Sequence, residues 1–290
     1  MFREKVFTNR RLPLAAIALT LGACAVLCLP SCKKNQSNST PSTAKPIAEI
    51  DASADPLSKF KRLLPDVVSG EVSDKATLDA FIGLAQKHAA VRTWIAEVFD
   101  ESTYDEQFTL MAVLKTCAAN EADPEWVPMI RSAIENNQHA ISALRALRSY
   151  DIADRKELIM SRIEGGDSSD RFVVGAALEV YLELYGTVGI EELIETLLES
   201  PARQFRGDMA AIVVGNCEGE LKQKALVVLN AVLSDPGFRA WGAVAGFFSD
   251  LVKAEECGDE QLVENAKRIL AEGDTPAKDS VQKFLAMCAN

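Results

Sequence analysis

Histidine is nearly absent from this 290-residue chain, with only His88 and His139, far apart in sequence. That scarcity excludes most histidine-based metal sites and Ser-His-Asp constellations. No Cys-x-x-Cys pair occurs, no glycine-rich loop follows a strand pattern, and no nucleophile elbow is present. Aromatic residues make up only 7% of the chain. Basic residues are outnumbered as well, 31 against 42 acids, for a formal net charge of −11. Residues 1–31 hold four basic side chains and one acid, so the remainder stands at −14. A body of that sign repels phosphate, which argues against a nucleic-acid partner. No cofactor is expected.

What is present is ordinary for a folded protein: 48% hydrophobic and 25% charged residues, with length enough for a sizeable core. The first segment reads as an address. Arg3, Lys5, Arg10 and Arg11 form a basic start, and an apolar run follows to Pro30, as in a secretory leader. Its length also approaches that of a membrane span, so a plain transmembrane anchor is the alternative. Leu29-Pro30-Ser31-Cys32 resembles the lipobox of bacterial lipoproteins. That resemblance implies cleavage before Cys32 and lipid attachment to it, although Pro30 departs from the usual pattern. Leu21-Gly22-Ala23-Cys24 fits the same pattern locally. Cys32 is preferred because polar sequence begins directly after it. Residues 1–31 are thus expected to be a signal peptide. Residues 32–55, rich in Ser, Thr, Asn and Pro, should form a flexible tether, since they cannot bury enough apolar surface to offset ordering. The implied location is the bacterial cell envelope, with the body facing the periplasm or exterior. Lys33, after the lipidated Cys, favours the outer membrane.

From Asp55 onward the apolar residues recur at helical spacing and no strand alternation is found. Ile190, Leu193, Ile194, Leu197 and Leu198 fall on one helix face, as do Ala225, Val228, Leu229, Val232 and Leu233, and then Val281, Phe284, Leu285 and Cys288. Breaks at Gly165–Ser169, Ser200-Pro201, Asp235–Gly237 and Gly273–Pro276 end one helix and cap the next. A small residue followed by an apolar one marks successive helix centres: Ala80-Phe81, Ala112-Val113, Ala143-Leu144, Ala177-Leu178, Ala211-Ile212 and Ala243-Val244, at spacings of 32, 31, 34, 34 and 32. Ser280-Val281 follows after 37. A second helix fits between each pair, so one unit is a helical hairpin.

These units resemble HEAT repeats. Leu229–Val244 carries Asp235, Pro236, Arg239 and Ala243 where the family has its Asp-Pro, Arg and Ala. Residues 165–178 carry Asp167, Arg171, Ala176, Ala177 and Leu178. Residues 199–212 carry Arg206, Ala210 and Ala211, and residues 273–285 carry Asp274 and Lys278. The resemblance covers residues 120–290 well and 56–119 loosely. It implies an all-α fold, a right-handed α-solenoid of six to seven hairpins over residues 56–290, with Asp and Arg side chains tying adjacent turns. An irregular all-α bundle is the alternative. A tetratricopeptide array has a similar period, but its Trp, Gly, Tyr and Pro landmarks are not in register.

The acids suggest no chemistry. Glu191, Glu192, Glu195 and Glu199 sit on the wet face of their helix, and no pair of carboxylates stands out. The loop 165–170 offers oxygen ligands but lacks the later Glu of an EF-hand. Arg206-Gly207-Asp208 spells an integrin-recognition tripeptide, yet it falls at a predicted helix start. Cys217 and Cys257 lie near the ends of consecutive second helices, the pairing expected if a disulfide forms. The alternative is that the cysteines stay free as small buried hydrophobes. Phe238, Trp241, Phe247 and Phe248 concentrate aromatics in one stretch. Since one helix cannot bury all four on one face, this stretch is the expected partner contact. The expected function is a non-enzymatic protein-binding or scaffold module, held to the membrane through its lipidated N-terminus. The alternatives are a structural envelope lipoprotein without a ligand, or an accessory subunit of an envelope enzyme.

Overall fold

Residues 54–118, 123–150, 152–273 and 275–289 are described by a computed structural model of the chain. The leader, Cys24, Cys32 and the tether up to residue 53 lie outside the described residues. Everything below concerns the unit Lys45–Asn290.

The described residues are all-helical, with fourteen α-helices and no strand among them. In chain order these are α1 Pro56–Val68, α2 Lys75–Lys87, α3 Ala89–Val98, α4 Tyr104–Ala118, α5 Val127–Glu135, α6 Ala140–Ala146 and α7 Arg155–Glu164. They continue with α8 Arg171–Tyr185, α9 Glu191–Leu198, α10 Arg203–Asn216, α11 Gly219–Ser234, α12 Trp241–Lys253, α13 Glu260–Ala271 and α14 Lys278–Cys288. Short 3₁₀ turns at Phe99–Glu101, Pro124–Trp126, Leu147–Ser149 and Ser168–Asp170 join some of them. No helix of the described residues is long and apolar enough to cross a membrane.

The helix starts follow from local chemistry. Asp55, Asp74 and Asp259 each accept a hydrogen bond from the backbone N–H three residues on, which satisfies a donor the helix leaves open. Thr103 and Glu106 cap α4 reciprocally. Asp167 accepts from Ser169 N–H at 2.6 Å, so the oxygen-rich loop at 165–170 serves as a cap.

Every small–apolar pair found in the sequence lies on an even-numbered helix, from α2 to α14. Those helices pack on one another in chain order: α2 on α4, α4 on α6, α6 on α8, α8 on α10, α10 on α12 and α12 on α14. Among the odd-numbered helices, α5 touches α7, α9 touches α11 and α11 touches α13. Ala143, Ala177 and Ala211 are buried at the even-helix contacts. Glycine permits the closest approach: a Cβ on Gly207 of α10 would lie 2.6 Å from the ring tip of Phe247 on α12. Phe60, Phe81, Trp126, Tyr181, Phe247, Phe248 and Phe284 are the largest side chains buried between the helices.

Polar ties cross from one hairpin to the next at the sequence period. Arg92 meets Asp123 at 2.8 Å, Thr93 donates to Glu125 at 2.8 Å, and Arg148 meets Glu179 at 2.9 Å. Arg203 pairs with Asp235, Lys222 with Glu256, and Ser249 meets Ser280 at 3.1 Å. Each of these pairs is 31 to 34 residues apart. Buried Asn265 accepts from Ser234 and donates to Asn230, and Asn230 in turn donates to Asp259, which satisfies the polar groups between α11 and α13.

Candidate functional site

Of the aromatic stretch expected to face a partner, two rings are withdrawn into the core and two stay partly exposed. Phe247 and Phe248 are buried, 1% and 0% exposed. Phe248 packs on Phe284 of α14 with ring centroids 5.0 Å apart, and Phe247 fills the space above Gly207. Phe238 and Trp241 are half-buried against the same core, with Phe238 stacked 6.3 Å from Phe247. The single-helix picture failed because α12 is flanked by both α10 and α14, so two of its faces are covered.

The disulfide is also a correction. Cys257 joins Cys288, with Cα atoms 5.2 Å apart, whereas Cys217 is buried and free. Cys217 closes α10 and points into the packed interior; Cys257 lies in the turn before α13 and meets the last turn of α14. Burial pushes the Cys117 thiol up to about 12 and the Cys217 thiol up to about 11. Neither is a thiolate nucleophile near neutral pH.

Of the Asp and Arg residues singled out in the sequence, Asp167 and Arg171 do not pair with each other. Asp167 caps its own turn, while Arg171 reaches across to Asp208 of α10, with Nε 3.3 Å from Oδ2. Asp208 is therefore half-buried between α8 and α10. Gly207 is pressed on Phe247 and Asp208 faces Arg171, so the Arg206-Gly207-Asp208 sequence presents no exposed loop. Burial outweighs the attraction of Arg171, Asp250 adds repulsion, and the Asp208 carboxyl is pushed up to about 7. On the next pair of helices the balance is reversed. Burial would raise Glu179, but Arg145 and Arg148 together hold its carboxyl below the usual range, with Lys253 contributing. Arg148 also pairs with Glu183 at 2.7 Å.

Sequence reasoning missed a second grouping, at the N-terminal ends of α4, α6 and α8. Tyr104 and Phe108 of α4 and Phe172 of α8 are exposed. His139, at the start of α6, has its ring 4.5 Å from that of Tyr104 and 5.9 Å from that of Phe108. Burial lowers the His139 pKa, which favours the neutral ring. The sequence signal was an aromatic residue off the core face near the start of α4 and of α8, visible only once the helices are placed. No group of three or more His, Cys, Asp or Glu side chains among the described residues could hold a metal ion. Comparison with family models, curated proteins and solved structures finds no match.

Proposed function

We propose that the chain is a lipid-anchored, extracytoplasmic helical-repeat protein whose body holds a protein partner. In this reading residues 56–290 form a right-handed, HEAT-like α-solenoid of seven hairpins, tethered through Cys32 to the bacterial envelope. The observation that carries it is the recurrence of inter-hairpin ties at one sequence period, from Arg92 with Asp123 to Ser249 with Ser280. A unit tied only to its neighbours is what stacks into a repeat array. Such arrays are surfaces more often than catalysts, and the net charge favours partners with basic patches. The disulfide supports an oxidising compartment, in keeping with export.

Crosslinking in the native envelope, then affinity isolation of the full chain and mass spectrometry, tests the binding role. A recurrent stoichiometric protein is the expected result, and its repeated absence with the protein folded would reject the reading. Metabolic lipid labelling tests the anchor: Cys32→Ser should abolish it, and persistence would move the site to Cys24. Asp208 favours a second reading, an accessory role in an envelope enzyme, because a carboxyl titrating near neutrality can transfer protons. An Asp208→Asn chain that keeps every activity of its isolated assembly would remove that reading.

A further inference from the structure

We infer that the edge made by the N-terminal ends of α4, α6 and α8 docks a basic, amphipathic segment of a protein partner. This rests on the protein-binding reading above and names its surface and the chemistry it selects. Tyr104, Phe108 and Phe172 are 64%, 53% and 62% exposed, and all three belong to this edge. The other large exposed hydrophobics of the described residues, Val188 and Val227, stand singly elsewhere. Isolated exposed apolar side chains are commonplace, whereas a contiguous group marks a contact surface.

The edge is continuous. The His139 ring bridges Tyr104 and Phe108 on one side. Gln138 donates to Gln107 of α4, and Asn137 donates to Asp170 at 3.2 Å, which carries the connection to the turn before α8. Arg171 lies over the Phe172 ring at 4.2 Å. Asn137 and His139 both have φ of 56°, a left-handed backbone that β-carbon-bearing residues rarely adopt. That geometry sets the imidazole against the two α4 rings. Its Nε2 is buried and makes no hydrogen bond among the described residues.

Charge selects the occupant. Asp100, Glu101 and Asp105 are exposed beside Tyr104, on the turn into α4 and its first residues, and form no ion pair with a described residue. Gln107 ties that turn to α4 by donating to the Phe99 carbonyl at 2.8 Å. Other acids nearby are occupied: Glu106 by the Thr103 cap, Asp167 by Ser169 and Asp170 by Asn137. The cation of the edge, Arg171, is engaged by Asp208. Rings on α4 flanked by uncompensated carboxylates, with Phe172 extending the edge, match a segment that alternates Lys or Arg with Leu or Phe. The apolar side chains rest on the rings, and the cations meet the carboxylates and ring faces. Phosphates and anionic headgroups are repelled by the same carboxylates.

The test uses the full chain and a fluorescent synthetic peptide, roughly fifteen residues of alternating Lys and Phe or Leu, followed by anisotropy at physiological salt. The expected result is binding at least about tenfold tighter than that of the Glu-for-Lys and Ser-for-Phe/Leu counterparts. Phe108→Ser with Phe172→Ser, and separately Asp100→Asn with Glu101→Gln and Asp105→Asn, should each weaken binding about tenfold or more. Val227→Ser should leave it unchanged, and circular dichroism should show every variant folded. Edge variants that bind like the parent chain would overturn the inference. A photo-crosslinking residue at Phe172 or at Val227, in the native cells, separates the two levels. A Lys/Arg-rich partner peptide captured from Phe172 alone supports the edge. Capture from Val227 alone, of a second copy of this chain, or of a segment without basic residues overturns it while leaving protein binding intact. No capture from either position, together with no peptide binding, would count against both readings.

Discussion

Cys257, in the turn that leads into α13, and Cys288, in the last turn of α14, close a covalent ring around both helices of the final hairpin. Their sequence separation is 31 residues, and their Cα atoms lie 5.2 Å apart. The ring restricts the unfolded chain around α13 and α14. Chain-entropy arguments put the effect of a loop of this length at about 3–4 kcal/mol as an upper figure. In a Cys257→Ser/Cys288→Ser chain, amide exchange should speed up first in α13 and α14, with α6 and α8 protected as before. Uniform acceleration along the chain would show that the disulfide acts on global stability.

Asp208 should make the fold less stable as pH rises. Its folded pKa of about 7 exceeds the ordinary carboxylate value of 3.8, so the folded state holds the proton more tightly than the unfolded chain. The resulting stabilisation is complete below the unfolded pKa and is lost as pH climbs through the folded one. Asp208→Asn removes the titration. Urea unfolding should show the variant gaining on the parent between pH 4 and 8, by up to about 4 kcal/mol. Parallel curves across that range would mean that the carboxylate is solvated.

Glu179 should act with the opposite sign. Arg145 and Arg148 hold its carboxyl below the usual range. It therefore stabilises the fold above its unfolded pKa, and that contribution disappears as acid protonates the folded form. A Glu179→Gln chain should be less stable than the parent at neutral pH, with the difference shrinking as pH falls through the carboxylate range. A gap independent of pH would indicate a packing effect instead.

Gly207→Ala should disturb the contact between α10 and α12. The added methyl would meet the tip of Phe247, a ring held by Phe238 on one side and by the buried core on the other. Overpacking of this kind costs about 1–3 kcal/mol. A Gly207→Ala/Phe247→Leu chain should recover part of the loss, and double-mutant thermodynamics would measure it. Full stability of the single variant would show that the ring can move aside.

The same contact shows where sequence reasoning succeeds and where it stops. The helical character of the chain and its apolar faces were legible because each depends on neighbours within a few positions. The spacing of Ile190, Ile194 and Leu198 places them on one buried face, as found. Of the four breaks expected to cap the next helix, the loop at 165–169 does so through Asp167, whereas α10, α12 and α14 start without a side-chain cap. Phe247 and Phe248 could not be assigned in this way. A residue on one face of α12 is buried or exposed according to which helices flank it, and a single-helix pattern records one neighbour at a time.

Local chemistry along the chain thus determined that this protein is helical and where its apolar helix faces lie. Tertiary packing alone decided that Cys257 meets Cys288 and not Cys217, because pairing depends on which turns the packed helices bring together. It also decided that Arg171 reaches Asp208 and that Tyr104, Phe108 and Phe172 stay in water. Each of these outcomes is set by the rotation and offset between packed helices, a quantity distributed over many side chains and carried by no short stretch of sequence.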